Sequence, residues 1–280
     1  MFSEKYGYKP EKAIQHERIS DELRFRIWNL FYQWEIKSGG LASKRISQAF
    51  SGEQTIEERI ADRMGFLIES TPKGHSAQEQ LKSGVLNVFE WFEVYDFIDI
   101  HLSFLEEEER FQRITQYNDI LEQEKAGYRI VAGEVAPITN ESEIQSIEHA
   151  ATTPYQSVNQ HIQKSLALYA DLQSPDYENS VKESISAVEA MCCIITGMTG
   201  AQATLGAAIK KLKECGVHIH SAMEKAFLSL YGYTSDEKGI RHGGIDFTSV
   251  PPEDAKYMLV SCSAFVNYLI EKCEKLDLKG

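Results

Sequence analysis

Arg241 and His242 are the neighbouring side chains in this sequence best suited to chemistry. Arg241 is the only arginine after Arg129, and the pair sits in the glycine-flanked stretch Lys238-Gly239-Ile240-Arg241-His242-Gly243-Gly244-Ile245-Asp246, within a half that otherwise uses lysine. A guanidinium is permanently charged, planar and rich in donors, which fits a phosphate or a carboxylate. Imidazole is the side chain that most readily exchanges a proton near neutral pH. Together they suit phosphodiester chemistry. An Arg-His pair near a helix end also has a plainer use, capping carbonyls or pairing with a carboxylate, and the residues alone leave both readings open.

Other common chemistries find no matching pattern. No GxxxxGK[ST] loop occurs, and the nearest region, Gly197 to Lys211, reads as a turn followed by a capped helix. There is no HExxH and no GxSxG. His218 and His220 are two apart, which on a helix puts them on different faces and favours a surface role over metal binding. Five cysteines, Cys192, Cys193, Cys215, Cys262 and Cys273, show no repeated spacing and fit neither a disulfide framework nor a CxxC metal site. They read as free core thiols. The sequence therefore calls for no metal and no cofactor.

The elements that would carry the pair are helical. Leu23, Ile27, Leu30, Phe31 and Trp34 form one stripe after the cap Ser20-Asp21-Glu22, with Ser38-Gly39-Gly40 as the stop. Further helices are expected over about 56 to 69, 77 to 102 and 105 to 124. The aromatic set Phe89, Trp91, Phe92, Tyr95 and Phe97 reads as core rather than as a stacking platform. Tyr128 to Val131 and Glu134 to Ile138 around Ala132-Gly133 read as a β-hairpin whose second strand ends at Pro137 or lies at an edge, and which marks a domain joint rather than core.

Beyond it lie helices from Glu141 to Ala150, Tyr155 to Leu172, a long one after Pro175 with the stripe Val181, Ile185, Val188, Cys192 and Ile195, then Thr204 to Lys213, His220 to Tyr231, and a last one after Pro251-Pro252. Short turns between them make a bundle. The expected fold is all-α: two helical domains, 1–139 and 140–280, joined by a small hairpin.

Composition and charge narrow the function. With 42% hydrophobic and 25% charged residues this is a folded protein. Its start, Met1-Phe2-Ser3-Glu4-Lys5, has no apolar leader, and no stretch offers the roughly 18 uninterrupted apolar residues of a membrane span. A cytoplasmic chain with no membrane partner is expected. A net charge of -13 argues against nonspecific coating of nucleic acid. Residues 1–150 carry 17 basic and 27 acidic side chains, and residues 151–280 carry 12 and 15, so RNA contact is better placed in the second half. The run Glu106 to Glu109 reads as a solvated helix start.

A family resemblance rests on longer stretches. Tyr177 to Ala190, Thr204-Leu205-Gly206, Leu230 to Glu237, Gly239-Ile240-Arg241-His242 and Asp254 to Asn267 resemble the HEPN-type C-terminal domain of bacterial abortive-infection proteins of the AbiJ group, and Phe2 to Pro10 resembles an AbiJ N-terminal domain. The resemblance implies a helical bundle that forms a homodimer and often acts as a metal-independent ribonuclease in defence and toxin systems. The HEPN motif is an arginine, a polar residue and then a histidine a few residues on. Arg241 matches, His242 takes the polar place, and Ile245, Asp246, Phe247 and Thr248 supply no histidine.

On this resemblance two functions stand. In the first, Arg241 and His242 are catalytic: the RNA 2′-OH attacks the adjacent phosphorus, His242 moves the proton and Arg241 offsets phosphate charge. Glu189, Asp236 and Asp246 support them, Glu189 by orienting Arg241 or else as an ordinary surface carboxylate, and Asp236 with Glu237 as caps. In the second, the chain is a noncatalytic dimeric adaptor that binds RNA or a nucleotide within a defence assembly and holds a protein partner.

Overall fold

A computed structural model describes residues 12–37, 54–66, 77–171, 173–199, 205–235 and 250–277. The chain divides into two compact units, Met1–Thr139 and Asn140–Gly280. Eleven α-helices and one two-stranded hairpin make up the described regular structure besides two π-helical turns, so the protein is predominantly helical.

In the first unit, α1 (Asp21–Phe31) starts where Ser20 Oγ accepts from the Leu23 amide at 3.3 Å and Asp21 and Glu22 meet the positive helix end. It buries Leu23, Ile27, Trp28 and Phe31. The stripe then departs from expectation. The chain widens into a π-helical turn, Tyr32–Lys37, and Glu35 rather than Trp34 continues the fully buried row.

α2 (Ile56–Arg63) begins with a capping box, Thr55 N donating to Glu58 Oε2 at 2.8 Å and Glu58 N to Thr55 Oγ1 at 3.3 Å. It stops earlier than the periodicity suggests because Gly65, at φ +77°, turns the chain left-handed and lets the Phe66 amide reach Ala61 O at 2.9 Å.

The single helix expected over 77 to 102 is two, α3 (Ala77–Ser83) and α4 (Trp91–Ser103), separated by a π-helical turn at Gly84–Val88. Two features make the break. The Phe89 ring folds back over Gly84 so closely that a Cβ there would sit 2.4 Å from it. Glu93 Oε2 accepts from the Glu90 amide at 2.7 Å and restarts the helix. Arg24 reaches across from α1 to Val85 O at 2.9 Å and Phe89 O at 2.7 Å, satisfying carbonyls at the break.

α5 (Glu107–Gln123) follows, its acidic start exposed as expected. The hairpin pairs β1 (Arg129–Val131) with β2 (Glu134–Ala136), Ile130 opposite Val135. Ala132 and Gly133 both have positive φ, at 46° and 94°, which suits a tight two-residue turn. β2 ends just before Pro137. The hairpin is not merely a joint: β1 is buried throughout, and Asn118 of α5 pairs with both backbone groups of Ile130 at 2.8 and 2.9 Å.

The second unit contains α6 (Glu141–Ala151), α7 (Gln156–Ala170), α8 (Tyr177–Thr196), α9 (Leu205–Glu214), α10 (Ser221–Ser235) and α11 (Pro252–Asp277). Asn140 caps α6 and Asp176 caps α8, while Gly197 at φ +65° closes α8. α8 is the central element, packed on α7 and α11. Its stripe Val181, Ile185, Val188 and Cys192 is buried as expected, and Ile195 only partly so. Between α7 and α8 the contact is made by small side chains: Ser165 Oγ lies 3.1 Å from Ser180 Oγ and 2.7 Å from Ser184 Oγ, and all three are fully buried. The expected cap Thr204 lies outside the described residues.

Candidate functional site

Of the residues singled out from the sequence, Arg241, His242, Asp236, Asp246 and Glu237 lie outside the described residues. Their segment falls in the chain between α10, which ends at Ser235, and α11, which begins at Pro252. Glu189 is described. It is half-buried on α8, one residue past the buried Val188, and its carboxylate adds to the burial that pushes Cys192 up to about 12 and raises Cys193. Burial likewise pushes the Cys262 thiol up to about 12. These are inert thiols rather than nucleophiles. Cys215 is exposed, so the five cysteines are not all core residues.

The two histidines set aside as metal ligands lie outside any helix, in a stretch where buried Val217 and Ile219 alternate with exposed His218 and His220. They share exposure instead of diverging around a helix. His220 Nδ1 accepts from the Ala222 amide at 3.2 Å, a local cap at the start of α10. No group of three His, Cys, Asp or Glu side chains among the described residues is arranged to hold a metal ion.

What the sequence reading missed is a buried polar constellation in the first unit. His101 and Tyr117 are fully buried and Glu35 is 4% exposed. His101 Nε2 lies 3.1 Å from Glu35 Oε1 and its Nδ1 lies 2.9 Å from Tyr117 Oη. One proton arrangement satisfies all three groups: Nε2–H donates to Glu35, and Nδ1 accepts from the tyrosine hydroxyl. Burial, reinforced by the Glu35 charge, raises the Tyr117 phenol far above its usual range and keeps that donor protonated. Arg113 Nε lies 3.9 Å from the same Glu35 oxygen, too long for a hydrogen bond, and the guanidinium carbon sits 3.8 Å over the Trp34 ring. Arg113 Nε and Nη1 are buried without an acceptor.

The π-helical turn supplies Trp34 and Glu35, α4 supplies His101, and α5 supplies Arg113 and Tyr117. Such turns often mark functional sites. A signal for the cluster was present: Glu35 sits four residues after Phe31 and eight after Ile27, a carboxylate on an apolar row, and His101 sits four after Phe97.

Two carboxylates paired with cations complete the electrostatics. Burial alone would raise Glu124, but hydrogen bonds from Lys12 at 2.5 Å and Arg26 at 2.8 Å outweigh it and hold the carboxyl below its usual range. In the second unit Glu183 is likewise raised by burial and lowered on balance by Lys164 and His161. By contrast Asp96, Asp99 and Glu134 are raised, first by partial burial and, for Asp96 and Glu134, also by the neighbouring carboxylate Asp99.

The first unit is thus a helical fold that ends in a hairpin and holds a polar cluster inside. The chain is a member of the AbiJ N-terminal domain 4 family, whose family model matches residues 1–153. The match runs past Thr139 and takes in α6, a helix that packs with α7 and α11 in the second unit. No curated protein and no solved structure matches the chain. AbiJ membership points to an abortive-infection, antiphage role.

Proposed function

We propose that the protein is an abortive-infection effector whose second unit is a HEPN-like bundle that acts on RNA without a metal ion. Membership of the AbiJ N-terminal domain 4 family carries the reading, because it ties the chain to abortive infection independently of the second half. The long helices α8 and α11 and the Arg241-His242 pair in the segment between α10 and α11 support it. Arg241 neutralises charge on the phosphate, and His242 takes the proton of the attacking 2′-OH and returns it to the departing 5′-oxygen as the P–O5′ bond breaks, leaving a 2′,3′-cyclic phosphate. A homodimer brings two such pairs together and doubles the local positive charge. Glu189, Asp236 and Asp246 are the supporting carboxylates of this reading.

The test is incubation of the purified full chain with total RNA in the presence of a chelator. Cleavage by the parent, lost in Arg241→Ala and His242→Ala while both variants stay folded, is the expected result. Arg241→Lys restores little, because an ammonium lacks the planar fork. RNA binding without cleavage by the parent replaces this reading with the noncatalytic adaptor, which the absence of a histidine from 245 to 248 favours. Light scattering that gives a monomer at micromolar concentration removes the homodimer.

A further inference from the structure

We infer that the first unit carries a binding site for a nucleobase, in the groove between α1 with its π-helical turn and α5. The inference goes beyond the proposed action of the second unit and does not depend on it. The groove is open to solvent, with about 560 Å³ of space, and is walled by Trp34, Gln33, Gln116, Asp119, Gln123 and Arg26 beside apolar Leu30 and Ile120.

Three features select the ligand. First, an indole bounds the groove, and it is set in place from within: Arg113 lies 3.8 Å over the Trp34 ring and is itself buried beside Glu35, which is bonded to His101, held in turn by Tyr117. A pre-positioned aromatic ring is the usual partner of a flat heterocycle. Second, the polar wall consists of three carboxamides and a carboxylate, groups that read the mixed donor and acceptor edge of a base. Third, the one cation among the described residues that line the groove, Arg26, is already held by Glu124 at 2.8 Å and Gln123 at 2.6 Å. With Asp119 also in the lining, the described residues leave no surplus positive charge for a phosphate. It suits the uncharged ring of a nucleotide rather than its phosphate.

Isothermal titration calorimetry on the full chain tests this with adenosine, guanosine, cytidine and uridine 5′-monophosphates up to about 5 mM, the weak end of specific binding, and with a short mixed-sequence single-stranded RNA. Saturable binding of at least one monophosphate is expected if the natural source is a free nucleotide, and binding of the RNA alone if the base arrives within a strand. In either case Asp119→Ala and Gln33→Ala, at exposed positions, weaken binding about tenfold. Trp34→Leu abolishes it; should that variant unfold for want of the Arg113 partner, the two exposed substitutions decide. Because Asp119 and Gln33 both lie in the first unit, a loss in these two variants separates this site from RNA held by the second unit. No saturable heat with any probe, or binding unchanged in Asp119→Ala and Gln33→Ala, overturns the inference.

Discussion

The two units solve core packing in different ways. The first buries a carboxylate, an imidazole, a phenol and a guanidinium among aromatic rings, with the edge of Phe31 against His101 at 5.0 Å and against Phe97 at 5.1 Å. The second buries hydroxyls, Ser165, Ser180 and Ser184, that let α7 and α8 approach closely while bonding to one another and to backbone. Buried ions give little net stability but make the loss of one partner expensive. Small hydroxyls cost little to remove and much to enlarge. The first core is therefore specified by chemistry and the second by size.

The largest expected effect follows from that contrast. Glu35→Ala leaves His101 without its acceptor and Arg113 without its counter-charge, and should cost the first unit about 3–5 kcal/mol in urea unfolding. Tyr117→Phe removes only the donor to His101 and should cost about 1–3 kcal/mol. If both cost less than Ser184→Ala, the comparison fails. In the second unit the order reverses with size: Ser184→Leu forces α7 and α8 apart for about 1–3 kcal/mol, whereas Ser184→Ala changes stability by less than about 1 kcal/mol. Following the unfolding by probes in each unit separately is necessary, since the two transitions need not coincide.

Acid sharpens the comparison inside the first unit. Glu124, held low by Lys12 and Arg26, contributes stability that is present above the unfolded carboxylate value and is lost as pH falls through its lower folded value. Asp96, Asp99 and Glu134 are raised, so their sign is opposite: the stability they contribute is present at low pH and is lost as pH rises through their raised folded values. Asp96→Asn should therefore stabilise the unit at neutral pH, with a midpoint rise below about 2 °C because the charges are near solvent. Glu124→Gln should lower it and flatten the acid limb. A thermal melt series from neutral to acid pH checks both signs.

The smallest effect is chemical rather than energetic. Exposed Cys215 should react with a thiol reagent in the native protein, while Cys192 and Cys262 wait for unfolding. Mass spectrometry of the labelled protein reads the order directly.

How far the sequence revealed this arrangement depended on which rule governed each segment. Helices whose ends carry local caps, such as α6 after Asn140 and α8 after Asp176, were legible because the capping residue and the apolar period agree. The break at Phe89-Glu90 was not, since it arises from an aromatic ring lying on Gly84, a contact no period encodes. The π-helical turn at Tyr32–Lys37 was hidden for a similar reason: 3.6-residue periodicity ran on through Trp34 while the partners of Glu35 sit 66 residues away and more. The Arg241-His242 pair was legible as a composition anomaly, and it lies outside the described residues.

The central claim is that this chain is an abortive-infection protein working through its second unit, and phage challenge of cells expressing it tests that most directly. Infected cultures carrying the parent chain should stop growing and yield fewer plaques, while cultures expressing Arg241→Ala to the same level should lyse and yield plaques as the empty vector does. Equal plaque numbers with the parent and the vector, or undiminished protection by Arg241→Ala, would contradict the account.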